Sequence, residues 1–394
     1  MMGEALDKEY VLHSYGRNYV QFTQGKNATL WDSEGKDYID FASGIAVCSV
    51  GHGNERLAGV ICDQAKKLIH TSNLYYIEPQ ARLAEKLVKL SGYDMRVFFA
   101  NSGAEANEGA IKIARKFGES HEGEVKRYKI ITLESSFHGR TITALKATGQ
   151  EKMHHYFGPY PDGFVYAKNL DHVFELVDEK TCAVLLELVQ GEGGIEPQDR
   201  EGIKKLERFL KERGVLLMVD EVQTGIYRSG ELFASQAYGI VPDVITMAKG
   251  LAGGVPIGAV MTTLKDIFAP GDHGSTFGGN FLSTRAGLEV LSILESLYQE
   301  GTLQKSIDRF SAELKALCVE FPSLFECEVG LGLMRGIRAK SAEIQKSVID
   351  EAFKKGVLVL RSGRNTVRFL PPLTLSEREM QEGFSRLREA LKGI

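Results

Sequence analysis

The chain has 394 residues, 43% hydrophobic and 25% charged, the balance of a folded globular protein large enough for more than one core. A formal net charge of −4 gives no electrostatic reason to expect a nucleic acid or an anionic membrane as partner. No apolar run approaches the ~20 residues that span a bilayer, and Met1–Arg17 lacks the apolar core of a secretory leader. The five cysteines are scattered without CxxC spacing, so thiols in a reducing compartment are expected rather than a disulfide framework or a metal site. A cytoplasmic enzyme follows from these features.

Residues 1–55 are expected to pack against the C-terminal part of the chain. From there, short apolar runs alternate with helical patterns. Arg96–Ala100 (RVFFA) reads as a strand and Ala104–Phe117 as a helix; Tyr128–Leu133, Cys182–Leu188, Val215–Asp220 and Asp243–Met247 read as buried strands, and Glu201–Arg213 as an amphipathic helix. Continuously apolar strands indicate a mostly parallel sheet covered by helices on both faces. Beyond residue 304 the pattern changes to helices over Thr302–Cys318, Ala342–Lys355 and Ser376–Leu391 and short strands at Gly332–Arg338 and Val367–Leu370. The expected organisation is a large domain over 56–304 and a smaller α+β domain built from 1–55 and 305–394.

Chemistry-bearing segments follow the predicted strands, where open α/β sheets bind ligands. Asn101-Ser102-Gly103-Ala104 joins a strand to a helix, as an anion cradle or an ordinary capped turn does. Phe137-His138-Gly139-Arg140 offers an aromatic plane and a guanidinium fork, or else a core ring and a wet charge. Gln190-Gly191-Glu192-Gly193-Gly194 is a glycine-rich turn with one carboxylate. Asp220-Glu221-Val222-Gln223 ends an apolar strand with an acid that burial would penalise unless it were paired; a metal role is open, but no His or Cys stands close by. Lys249, framed by Ala248 and Gly250, is a solvated loop lysine or an amine activated by burial. Each segment is ambiguous alone. Together they match the phosphate, ring face, ring nitrogen and aldehyde of pyridoxal 5′-phosphate.

The stretches NSGAEANE, SFHGRT, QGEGGI, DEVQTG, AKGLAGGVPIGA and GDHGSTFGGN, with Asp40–Val47 and Arg368–Pro372 at the ends, closely resemble the class III (ornithine-type, fold-type I) aminotransferases over nearly the whole chain. The resemblance implies an α/β fold-type I pyridoxal-phosphate transferase with a mostly parallel seven-stranded sheet. It implies Lys249 as the Schiff-base lysine and proton shuttle, and Asp220 as the partner of the ring nitrogen. Ser102, Gly103 and Ala104 would bind phosphate, Phe137 would stack on the ring, and Glu221, Val222 and Gln223 would line the cofactor. Arg140 would hold substrate α-carboxylates. Ser275 and Thr276 would reach substrate and cofactor phosphate from a neighbouring subunit, making a homodimer with shared sites. Glu192 would pair with an arginine and release it to a dicarboxylate, Arg368 being the one to test.

The resemblance is strongest to bacterial members that act on N2-acetyl-L-ornithine and 2-oxoglutarate in arginine biosynthesis, and His138 stands where ornithine-specific members carry Trp. Ornithine, succinylornithine, N-succinyl-diaminopimelate and 4-aminobutyrate are the alternative donors, and a non-catalytic binding protein on this scaffold is the remote one. Departures from the family are Leu188 after Glu187, Ile226-Tyr227 before Arg228, Ala104 in place of Thr, and Asn54-Glu55 in place of His-Pro.

Overall fold

A computed structural model describes residues 2–120 and 126–394; Met1, the first residue of the expected N-terminal segment, lies outside them. The seven strands of the central sheet are, in chain order, β1 (Arg96–Ala100), β2 (Lys129–Leu133), β3 (Phe164–Ala167), β4 (Thr181–Leu186), β5 (Leu216–Asp220), β6 (Val244–Met247) and β7 (Gly258–Thr262). They lie side by side in the order β1-β7-β6-β5-β4-β2-β3. Only β7 runs against its neighbours, pairing antiparallel with both β6 and β1. The remaining pairs are parallel, so the sheet is mostly parallel as expected.

The period of two along β4 explains why that segment is apolar at every position. Ala183 and Leu185 pack with Ala110, Ile111 and Ile113 of the helix Gly103–Glu119, while Val184 and Leu186 pack with Ile203, Leu206 and Leu210 of the helix Arg200–Glu212. Sequence reading missed β3 and β7. The first is a four-residue edge strand with mixed burial. The second is hidden in a Gly/Pro-rich segment, where Gly258 is needed because a Cβ would collide with the Ser102 carbonyl.

Residues from both ends of the chain share the smaller sheets. Asp37–Asp40 pairs in parallel with Val357–Leu358 and antiparallel with Thr29–Asp32, which continues to Phe22–Lys26. A second sheet joins Phe325–Leu331, Met334–Ala339, Thr366–Phe369 and Leu360–Arg361. The expected C-terminal helices form over Thr302–Glu320, Ala342–Lys354 and Glu377–Leu391, the last opened by a Ser376 cap reciprocated by Glu379. Phe41 drives the N-terminal segment into this region: its ring lies 5.2 Å from Phe310, 5.4 Å from Phe384 and 6.4 Å from Phe369. No helix among the described residues is long and apolar enough to cross a membrane.

Gly383, on the helix Glu377–Leu391, gives the Phe41 ring its space, because a Cβ there would run into the ring. Helix propensity favours Gly383→Ala by about 1 kcal/mol, whereas overpacking costs about 1–3 kcal/mol. Since a core phenylalanine cannot swing aside, packing should win. The expected result is a lower midpoint in urea denaturation followed by tryptophan fluorescence; a raised midpoint would show that the aromatic cluster has slack.

Candidate active site

The carboxyl ends of β1, β2, β4, β5 and β6 converge on a cavity of about 450 Å³, within the ordinary range for a small-molecule site. Ser102, Gly103, Ala104, Phe137, Arg140, Glu192, Asp220, Val222, Gln223 and Lys249 all line it. Ser102 caps the helix Gly103–Glu119, its hydroxyl accepting the Glu105 amide at 3.2 Å. The first-turn amides of Gly103 and Ala104 have no acceptor within a helix and sit where the dipole favours an anion. Gly103 has to be glycine: a Cβ would lie 2.7 Å from Cγ1 of Val222, the apolar wall.

Asp220 is 4% exposed, at the end of a strand buried along its length. Its Oδ2 accepts from Asn107 Nδ2 and His138 Nδ1, both at 2.8 Å, and its Oδ1 from the Val222 amide at 3.0 Å. A carboxylate offers about four acceptor sites, so one is left for a donor in the cavity. Asn107 also donates to the His138 carbonyl at 2.7 Å and accepts from the Thr246 hydroxyl at 2.8 Å. His138 Nε2 is buried without a partner, which suits a ring protonated at Nδ1 and donating to Asp220. Sequence reading missed Asn107 and used His138 only to distinguish relatives.

Lys249 opens a short 3-10 turn after β6 at φ 37°, a left-handed conformation unusual for a lysine. Desolvation, and next the positive charge of Arg368, lower its ammonium from 10.5 to about 8. The loop beneath is held from the N-terminal segment, where Ser49 Oγ donates to the Gly250 carbonyl at 2.7 Å and Val47 reaches the cavity. That segment contains a left-handed turn with φ of 48°, 62°, 67° and 64° at Ser43, Gly44, Ile45 and Ala46, a costly backbone for Ile and Ala. Buried Asp40 anchors it, accepting the Ala42 and Ser43 amides at 2.8 and 2.9 Å and pairing with His52 at 2.7 Å. The hydrogen bond to Asp40 is the largest of the effects that raise His52 to about 10.

Behind Glu192, which lines the cavity, Arg368, 3% exposed, donates to Glu192 Oε1 at 2.6 Å. Arg140 is exposed and lies over the Phe137 ring at 5.6 Å, with no ion pair among the described residues. Three sequence-level assignments are placed elsewhere. The Glu221 carboxylate does not face the cavity: it accepts from Thr224 Oγ1 and from the Ala234 and Ser235 amides at 2.9 and 2.8 Å, which satisfies the start of the next helix. It is corrected from a cofactor contact to a helix anchor. Ser275 and Thr276 lie outside this chain's cavity; Ser275 Oγ is held by Asn101 Nδ2 and the Gly278 amide, both at 3.0 Å, and Thr276 is exposed. Glu187, which does line the cavity, was overlooked. Like Asp220 it is an acid at the end of an apolar strand, so the same signal would have found it.

The residues lining the cavity suit pyridoxal 5′-phosphate: helix N-terminal amides for phosphate, the aromatic and apolar side chains of Phe137 and Val222 for a ring, a spare Asp220 acceptor for a protonated ring nitrogen and an amine of lowered pKa for the aldehyde.

The chain is 99% identical over 393 residues to the acetylornithine aminotransferase of Wolinella succinogenes, covering 100% of both chains. It is 44% identical to that of Caldanaerobacter subterraneus subsp. tengcongensis, covering 98% of each. Among solved structures, the N-acetylornithine aminotransferase of Stenotrophomonas maltophilia aligns at a TM-score of 0.84 and 35% identity, covering 99% of this chain and 98% of that one. The ornithine aminotransferase of Toxoplasma gondii aligns at 0.92 and 30%, covering 99% and 94%. With residues 10–391 matching the class-III aminotransferase family, the chain belongs to that family of pyridoxal-phosphate-dependent enzymes.

Proposed function

We propose that the chain transfers the terminal amine of N2-acetyl-L-ornithine to 2-oxoglutarate, giving N-acetyl-L-glutamate 5-semialdehyde and L-glutamate, a step of arginine biosynthesis. The near identity to the Wolinella succinogenes protein carries the reading, and Arg140 on the cavity wall together with the Arg368 paired to cavity-lining Glu192 suits both substrates.

When bound, the cofactor supplies an aldehyde for the donor's amine and a protonated ring that draws electron density from the carbon losing its proton. Lys249 Nζ, lowered to about 8 by desolvation, would be the amine that holds the cofactor's aldehyde near neutral pH. With its amine free, Lys249 would be the base that takes the proton from the amine-bearing carbon. Asp220 would hold the protonated ring nitrogen through its remaining acceptor, and His138 and Asn107 keep its carboxylate aimed. Gln223, on the cavity wall, would face the ring hydroxyl. Arg140, unpaired at the cavity wall, holds the substrate α-carboxylate. The donor has no second carboxylate, so Glu192 stays on Arg368; 2-oxoglutarate has one and takes Arg368 in its place. Either way the buried guanidinium keeps one anionic partner, which makes the exchange inexpensive.

A homodimer completes the site in this reading. Phe277, Leu74, Tyr75 and Tyr76 are 60%, 87%, 69% and 77% exposed, and Asn73 Nδ2 ties two of these stretches together through the Ser275 and Gly278 carbonyls at 3.0 and 2.9 Å. A large exposed apolar surface of this kind marks an interface, and it would bring Ser275 and Thr276 to the partner's cavity. Five free thiols suit the reducing cytoplasm.

The purified protein should show a visible cofactor band that N-acetylornithine bleaches and 2-oxoglutarate restores, and Lys249→Ala should lack it. A band indifferent to N-acetylornithine but bleached by another ω-amine would move the donor; absence of any band with excess pyridoxal phosphate would refute the reading. Glu192→Ala should lower the ratio of kcat/KM between the two half-reactions by about tenfold or more, a charged contact being worth about 1.5–3 kcal/mol; unchanged ratios would remove the switch. Cofactor uptake by the stripped protein should quicken as pH rises through about 8, the Lys249 value, because only the neutral amine attacks; a flat rate from pH 7 to 9 would contradict that assignment.

A further inference from the structure

Glu187 directly follows β4 and lies on the cavity wall, 6% exposed. No lysine or arginine forms an ion pair with it among the described residues. Its two oxygens hold backbone instead: Oε1 accepts the Phe137 amide at 2.9 Å and Oε2 the Gly191 amide at 3.0 Å. The first amide belongs to the loop after β2, which carries the ring-facing Phe137 and the Asp220 partner His138. The second belongs to the loop that carries Glu192. Gly191 is itself a junction, its carbonyl accepting from Ser362 Oγ at 2.7 Å and from Arg368 Nη1 at 3.4 Å. Among the described residues, no other side chain of the site bridges those two loops through both ends of one group.

We propose that Glu187 is a positioning residue whose carboxylate locks the Phe137 loop to the Gly191–Glu192 loop, and that its protonation uncouples them. The reason is donor–acceptor parity. A carboxylate accepts from both amides at once, whereas a carboxylic acid turns one oxygen into an O–H donor that must oppose an N–H. The inference rests on the Glu192–Arg368 reading above only for its effect on substrate choice; the loop coupling stands without it.

Three titratable groups face Glu187. His138 favours its charge, Asp220 opposes it, and Lys249 lies within electrostatic reach. Burial outweighs them and raises Glu187 from 4.5 to about 7, so the coupling falls within the working pH range. Because the folded value is the higher one, the group's contribution to stability is complete below pH 4.5. It is lost as pH rises through about 7. The protein therefore holds an ionised Glu187 at a cost in stability, as expected of a group retained for the site rather than for the fold.

Hydrogen–deuterium exchange on the holoenzyme, followed by mass spectrometry of peptides covering 134–141 and 188–194, tests this. At pH 8, Glu187→Gln, which keeps one acceptor and turns the other into a donor, should raise the exchange of one peptide by about tenfold, and Glu187→Ala, which removes both acceptors, should raise that of both. At pH 6, where wild-type Glu187 is mostly protonated, wild type and Glu187→Gln should approach each other. Exchange equal to wild type at pH 8 in either variant, acceleration of only one peptide in Glu187→Ala, or for Glu187→Gln a difference as large at pH 6 as at pH 8 would overturn the proposal. If Glu187→Gln does not fold, Glu187→Asp serves: its shorter carboxylate reaches one amide, so one peptide should stay protected, and protection of both would refute the coupling. Glu192→Ala should leave the 134–141 peptide at wild-type exchange, which separates failure of the substrate switch from failure of the coupling.

Discussion

A negative charge at the end of a strand buried on both faces is the constraint from which much of this molecule follows. Asp220 cannot be ionised there unless its lone pairs are matched. The structure matches three of them from three elements: Asn107 from the helix after β1, His138 from the loop after β2, and the Val222 amide from its own turn. The position of that helix, the course of that loop and the shape of that turn are thereby fixed around one oxygen pair. The remaining acceptor faces the cavity, so the same constraint that orders the sheet end also creates a seat for a protonated ring nitrogen.

A second set of ties brings in the far end of the chain. Arg228, 2% exposed, donates to the Leu333 and Pro371 carbonyls at 3.1 and 2.6 Å, and the Leu333 amide returns a bond to the Arg228 carbonyl at 2.9 Å. Desolvation alone lowers this guanidinium to about 9. Gly332 permits the approach, since a Cβ there would meet the Arg228–Ser229 backbone. Arg228 thus fastens the turn that follows Asp220 and Gln223 to the strand that bears Arg368. The turn after Asp220 and the strand bearing Arg368 are more than a hundred residues apart, yet they are registered by these bonds, and the Arg368–Glu192 pair ties the same strand to the cavity's edge.

Strain is concentrated where the chemistry sits. Lys249 holds a left-handed backbone, and the segment packed beneath it carries the unusual turn at Ser43–Ala46. Buried Asp40, with His52 and the Ala42 and Ser43 amides, over-determines that turn. A lysine with lowered pKa needs a dry, rigid wall, and a strained backbone survives only where its surroundings leave no alternative. The two requirements are met by the same packing.

The sequence alone determined the layer architecture, because an unbroken apolar strand such as β4 has no stable place except between two helical layers. It also determined which strand ends carry chemistry, because glycine-rich polar segments and an acid closing an apolar strand fall where open α/β sheets bind their ligands. Edge strand β3 and antiparallel β7 were not legible: one is too short for periodicity, and the other takes its form from contact with Ser102 rather than from its own pattern. Side-chain direction was equally out of reach. Glu221 and Asp220 are adjacent acids in the sequence, yet a strand turns neighbours to opposite sides, and only tertiary structure sent one to the cavity and the other to a helix start. Asn107 and His138 became site residues because folding placed them against Asp220. Such partnerships are spatial, and no spacing along the chain encodes them.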